Sequence, residues 1–251
     1  MDSRIALLRE FSRGFIPGTV KVETEQHGFA YLEQLLADGV SLNYGELTAV
    51  RLLHKYKLTR VSDSRMDELL RAHLAKTCNV CRYFAAGAND VFCFNLDNNH
   101  KSDNTRVIPE LALAVELLGE SLRALELEPL VVASGRGYHV WCRLAEPVAN
   151  ERLYDFMLRA AVRTLMSFQP RGLDHRKIKF NFYPDRRIHD LVSLRLFGSD
   201  HARNRVFSFI LTPAGLLSET DSWSHFEDFM ANQTISLARF EAASAALQLA
   251  Q

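Results

Sequence analysis

The run Val91 to Asp97 (VFCFNLD) limits this chain more than any other stretch. It reads as a buried strand, so a sheet has to be built around it, and its end carries a carboxamide and a carboxylate two residues apart. Side chains of a strand alternate between faces, which puts Asn95 and Asp97 on one side of that sheet. A divalent metal can be held there. Further along, Ser134 to Trp141 (SGRGYHVW) sets a Ser, an Arg and a His with two glycines in one tight loop, a combination suited to gripping phosphate.

The pattern on either side of this strand divides the chain. The first eighty residues or so read as helices: Tyr31 to Leu36, Leu47 to His54 and Met66 to Leu74 have helical apolar spacing, and Asp63 and Ser64 are available as caps. This predicts a helical N-terminal lobe over 1–78. From Val80 the period changes, with Val80 to Phe84 and Val91 to Phe94 as strands separated by the turn signal Gly87, Asn89, Asp90. A polar loop follows Asp97, then a helix opening near Pro109, with Leu111, Val115, Leu118, Leu122 and Leu125 as an apolar stripe to lay on the sheet. Leu130 to Ala133 and Tyr138 to Arg143 read as strands joined by Ser134 to Gly137. Glu151 to Phe168 reads as helix, and Lys177 to Tyr183, Leu191 to Phe197 and Arg205 to Leu211 read as further strands. Helices return at His225 to Met230 and Ser236 to Leu249. The expectation is an α/β core over 79–251, a mixed or antiparallel sheet with packed helices.

A hydrophobic content of 47% is ample for such a core. No run of eighteen apolar residues exists, and the opening MDSRIALLREFSRGF carries Arg and Glu where a signal peptide has an apolar centre. A soluble, cytoplasmic protein with no membrane partner is expected. The four cysteines form no disulfide framework, so free thiols are expected. Net charge is zero, a poor sign for nucleic-acid binding by the chain as a whole. Between Arg171 and Arg205, however, nine basic residues stand against four acidic ones, net +5. A cluster of this size suits a phosphate backbone or a triphosphate, and equally a solvated face.

Nucleotidyl transfer needs a triphosphate neutralised and a 3′-hydroxyl aligned in line with the α-phosphate, commonly by two divalent ions about 4 Å apart held by carboxylates. Asn95, Asp97 and a carboxylate from a neighbouring element, Asp174, are the candidates for such a cage. Asn95 offers a carbonyl oxygen but no charge, so the site is one carboxylate short. Asn and Asp also commonly end a strand and begin a turn. In the loop, Gly135 and Gly137 permit close backbone approach, while Ser134, Arg136 and His139 supply phosphate donors. An ordinary hairpin with a polar tip has the same glycines.

These motifs, in this order, resemble the catalytic core of the archaeo-eukaryotic primase superfamily, over roughly residues 80 to 211. Its first motif, a hydrophobic strand ending in Asp-x-Asp, is matched by Phe94-Asn95-Leu96-Asp97. Its Ser-x-His type loop is matched by Ser134 to His139, and its hydrophobic-Asp motif by Leu173-Asp174, with Asp190 the other candidate. Leu194 to Ser199 resembles the family's basic residue before a small turn, with Phe197 where Pro is common. The resemblance implies a template-dependent nucleotidyltransferase, a primase or primase-polymerase. Asn95, Asp97 and Asp174 would be catalytic and would hold a Mg or Mn pair. Ser134, Arg136, His139 and Arg195 would contact the nucleotide. Nucleoside triphosphates and a single-stranded or primed template would be its partners, with a helicase or other replication protein for unwinding, since no helicase motif is present. A gap-filling repair polymerase and a catalytically degenerate binding subunit are the alternatives, because Asn95 stands where the family has an Asp.

Other groups carry less. His73, Cys78 and Cys81, with Cys93 or His100, have spacing that begins a zinc site, yet only one CxxC is present and Cys is a common buried residue. His100, Lys101 and Lys177 read as exposed, and Trp141 and Phe182 as core.

Overall fold

The computed structural model describes residues 3–12, 21–24, 28–31, 63–77, 79–84, 87–99, 108–171, 174–185, 192–201 and 205–248. The chain divides into two units, one of residues 1–85 and 191–208, the other of residues 86–190 and 209–251.

In the first unit, α1 (Ser3–Ser12) and α2 (Asp63–Leu74) accompany a four-stranded antiparallel sheet of order β2-β1-β3-β8. Its strands are β1 (Lys21–Thr24), β2 (Gly28–Tyr31), β3 (Asn79–Phe84) and β8 (Val192–Arg195). The hairpin β1–β2 corrects the all-helical reading of the N-terminal stretch. Val22, Thr24, Phe29 and Tyr31 are residues that favour strands, and four-residue strands are too short to leave a readable period. Of the helix expected over Tyr31 to Leu36, Tyr31 instead closes β2 and the rest lies outside the described residues, as does the helix expected over Leu47 to His54.

His73, at the end of α2, ties this unit together. Its ring is completely buried, Val80 N–H donates to Nδ1 at 3.1 Å, and Nε2 donates to the Phe197 carbonyl at 2.8 Å. Both nitrogens are thus engaged by the backbone, which corrects the zinc-ligand reading of His73; Cys78 and His100 lie outside the described residues. Burial pushes the imidazole pKa from 6.5 down to about 4, against the pull of the Phe197 carbonyl and with help from Arg195.

The second unit is a six-stranded antiparallel sheet of order β10-β9-β5-β6-β4-β7. The strands are β4 (Ala88–Asn98), β5 (Leu130–Ala133), β6 (Tyr138–Ala149), β7 (Ile178–Tyr183), β9 (Phe209–Thr212) and β10 (Gly215–Leu216). Its helices are α3 (Pro109–Ala124), α4 (Asn150–Met166), α5 (Glu219–Asn232) and α6 (Leu237–Gln248). This is the α/β architecture the sequence implies. Period-two alternation in β4 sends Phe92, Phe94 and Leu96 into a core with Val140 and Cys142 of β6. Helical spacing supplies the other wall, with Leu111, Val115, Leu118 and Leu122 from α3, Leu153, Phe156 and Met157 from α4, and Phe240 and Leu247 from α6. Phe156 meets Phe92 at 5.6 Å and Phe240 at 5.2 Å between ring centroids, contacts that join sheet, α4 and α6. Each fully buried Phe contributes about 1.5–3 kcal/mol. With this face filled by Phe92, Phe94 and Leu96, the residues between them must face the other way.

The His73 environment sets a pH dependence. The folded protein holds the ring neutral while the unfolded chain protonates near pH 6.5, so the contribution is complete above that value. It drains as pH falls from 6.5 toward 4, by on the order of 3 kcal/mol in all. Urea unfolding of the wild type across this window should show that slope, and His73→Gln should flatten it. Parallel pH profiles for the two proteins would contradict the assignment.

Candidate functional site

The face of β4 away from the packed helices presents Asn95 and Asp97, as their spacing requires. Strand register adds their neighbours. Asn95 lies opposite His139 on β6 and opposite Asn181 on β7, so His139, Asn95 and Asn181 form one cross-strand row. Asp97 lies opposite Lys179 in the next row.

The hydrogen bonds within this group define its chemistry. Asn95 Nδ2 donates to Asp97 Oδ2 at 2.9 Å, and Asn181 Nδ2 donates to the same oxygen at 3.2 Å. One carboxylate is thus held between two carboxamides. Asn95 is only 8% exposed, and its Oδ1 is buried without a hydrogen-bond partner. A buried, unsatisfied carbonyl costs about 1–3 kcal/mol, so this row is not arranged for stability.

The loop from Ser134 to Gly137 is a tight hairpin joining β5 to β6, with Ser134 N–H donating to the Gly137 carbonyl at 2.8 Å. Gly135, at φ 91°, takes a positive value that glycine adopts without the steric cost a side chain would bring. Gly137 is required for a different reason. A Cβ there would lie 2.0 Å from the Leu96 carbonyl oxygen and 3.2 Å from Asp97 Oδ1, so its missing side chain lets the hairpin close against the end of β4. Arg136, at the tip, is half-buried, while Ser134 and His139 are buried. The His139 and Trp141 rings meet edge-on at 6.1 Å, two residues apart on β6.

The other expected site residues fall elsewhere. Asp174 precedes the 3-10 turn His175–Lys177, and its carboxylate accepts both the Arg176 backbone N–H at 3.0 Å and the guanidinium at 2.9 Å. The guanidinium holds its pKa down to about 2. It lies past the end of the β4–β7 ladder, which closes with Asn98 opposite Ile178, and it makes no hydrogen bond to Asp97. The nearby Lys177 ammonium is paired with Glu110. Leu173 and Asp190 lie outside the described residues. Arg195 is a buried residue of β8, in the first unit. Cys93 is buried on β4, and burial raises its thiol pKa, as expected of an inert core thiol.

The residues present do not fit a two-ion cage. Two divalent ions bring four positive charges, and among the described residues this face offers one carboxylate, with one oxygen already facing two N–H donors. Among the described residues, no group of three His, Cys, Asp or Glu side chains is placed to hold a metal. Asn181 and Lys179 are the members that the motif reading missed. The signal for them was the alternation Lys179-Phe180-Asn181-Phe182, which puts both polar residues on one face of β7.

No family model matches the sequence, and no curated protein matches it. Among solved structures, the chain is similar to the polymerase domain from Mycobacterium tuberculosis Ligase D in complex with DNA. The identity is 16%, the match covers 98% of this chain and 87% of that chain, and the TM-score is 0.47.

Gly137→Ala tests the hairpin seat. The new methyl meets main chain, which cannot rotate away, so a loss of about 1–3 kcal/mol is expected in denaturant unfolding. An unchanged midpoint would contradict the close approach.

Proposed function

We propose that this chain is a nucleotide- and nucleic-acid-binding domain of primase-polymerase type in which nucleotidyl transfer is held off by two carboxamides. The observation that carries this reading is the bonding of Asp97 Oδ2 to the Asn95 and Asn181 amides. The order of motifs along the chain points to the primase-polymerase type, and the hairpin with Arg136 at its tip stands beside Asp97, where a phosphate group would come. Nucleoside triphosphates and a single-stranded or primed template are the ligands it implies. In-line transfer needs the triphosphate's charge neutralised in the transition state, and carboxylates at 95 and 181 would hold the ions that do so. Carboxamides keep the shape of that site and remove its charge.

A primer-making or gap-filling polymerase is the second reading, favoured by the unpartnered Asn95 Oδ1 beside Asp97, which leaves one neutral oxygen for a cation. Primer extension by the wild type and by Asn95→Asp/Asn181→Asp, with Mg or Mn, separates the two. Under the first reading the wild type is at background and the double variant gains about a hundredfold or more. Wild-type synthesis matching the double variant would establish the second reading. Dependence on a 5′-phosphate at the gap would then mark a repair polymerase, and synthesis on unprimed strands a primase.

A further inference from the structure

Phosphate can be held on such a face in two ways. Carboxylates can gather metal ions that in turn bind phosphate, or the protein can supply the positive charge itself. A face built for the first is strongly anionic when empty, and the described residues that pair with Asp97 or seat against it have the opposite balance.

Lys179 lies directly opposite Asp97 in the antiparallel ladder, so their Cβ atoms share a face about 4.5–5.5 Å apart. Lys179 is exposed and forms no ion pair among the described residues. Its neighbour Lys177, by contrast, is taken up by Glu110. Arg136 sits one residue before Gly137, which is seated against Leu96 and Asp97. Asp97 Oδ2 is turned toward two amide donors and away from service as an open cation ligand. Among the described residues paired with or seated on this end of β4, Asp97 is the one carboxylate, and Lys179 and Arg136 are the two cationic residues. Asn95 and Asn181 add none.

We propose that this face binds the phosphates of a nucleoside triphosphate directly, without a divalent metal, with Lys179 as the principal cation and Arg136 as the second. The inference rests on the binding function proposed above and goes further by assigning Lys179 a role and removing the metal requirement. Lys179 acts as a compact point charge at the rim, while the Arg136 fork can take two oxygens of one phosphate. Asp97, held by its two amides, spaces the ligand from the strand and does not anchor it through an ion.

Calorimetric titration of the full chain with adenosine triphosphate, once in EDTA and once with excess magnesium, tests this. The wild type should bind in EDTA with an affinity within about twofold of that in magnesium. Lys179→Glu should weaken binding in EDTA by about tenfold or more, the loss expected for a charge-assisted contact. Asn95→Asp/Asn181→Asp should reverse the dependence, binding weakly in EDTA and recovering with magnesium. Circular dichroism melts show whether each variant is folded. Wild-type binding that appears only with magnesium would overturn metal independence and leave the binding function standing. Full affinity in folded Lys179→Glu would overturn the role of Lys179. No binding under either condition would overturn the binding function and this inference together.

Discussion

The antiparallel ladder that joins β7 and β6 to the two edges of β4 sets the chemistry of this protein. Phe92, Phe94 and Leu96 are buried against α3, α4 and α6, so β4 cannot rotate or slip by one residue without sending three apolar side chains to the wrong face. With that face committed, Asn95 and Asp97 are carried to the other, and backbone pairing brings His139, Asn181 and Lys179 beside them. The core therefore determines the site through register, and no catalytic interaction is needed to assemble it.

What the register assembles is unusual in its charge. A strand ending in two acidic positions, next to a third, would be a costly concentration of like charge that only bound cations could relieve. Here the middle carboxylate has a neutral amide on either side, each donating to the same oxygen, and a lysine across the ladder. Among its described atoms, the buried one without a hydrogen-bond partner is a neutral carbonyl, Asn95 Oδ1. Close packing at Gly137 keeps the hairpin tip and Arg136 at the end of β4, so a cationic rim is maintained by backbone contact.

Much of this was legible along the chain. The alternation in Val91 to Asp97, the paired glycines after Ala133 and the proline opening α3 each identify a local structure by its own residues. Asn181 was not legible as a site residue, because its partnership with Asn95 joins segments more than eighty residues apart, and the motif-like Leu173-Asp174 drew attention to a nearer acid. Asp174 is instead spent locally, capping the turn that leads into β7 and pairing with Arg176 two residues on. Short-range side-chain bonding of this kind competes with any long-range role. The hairpin β1–β2 was missed because two four-residue strands leave too little periodicity. The role of His73 was hidden because both of its partners are backbone groups, which have no sequence signature.

Among the described residues, Asp97 is the carboxylate that the ladder sets beside Asn95, Asn181 and Lys179, and the proposal is that this face meets phosphate with its own cations. A crystal structure of the full chain soaked with a nucleoside triphosphate and manganese, with anomalous data collected at the manganese edge, tests this most directly. Phosphate density beside Lys179 and Arg136, and no manganese pair at Asp97, is the predicted result. Two manganese ions bridging Asp97 and the phosphates would contradict it.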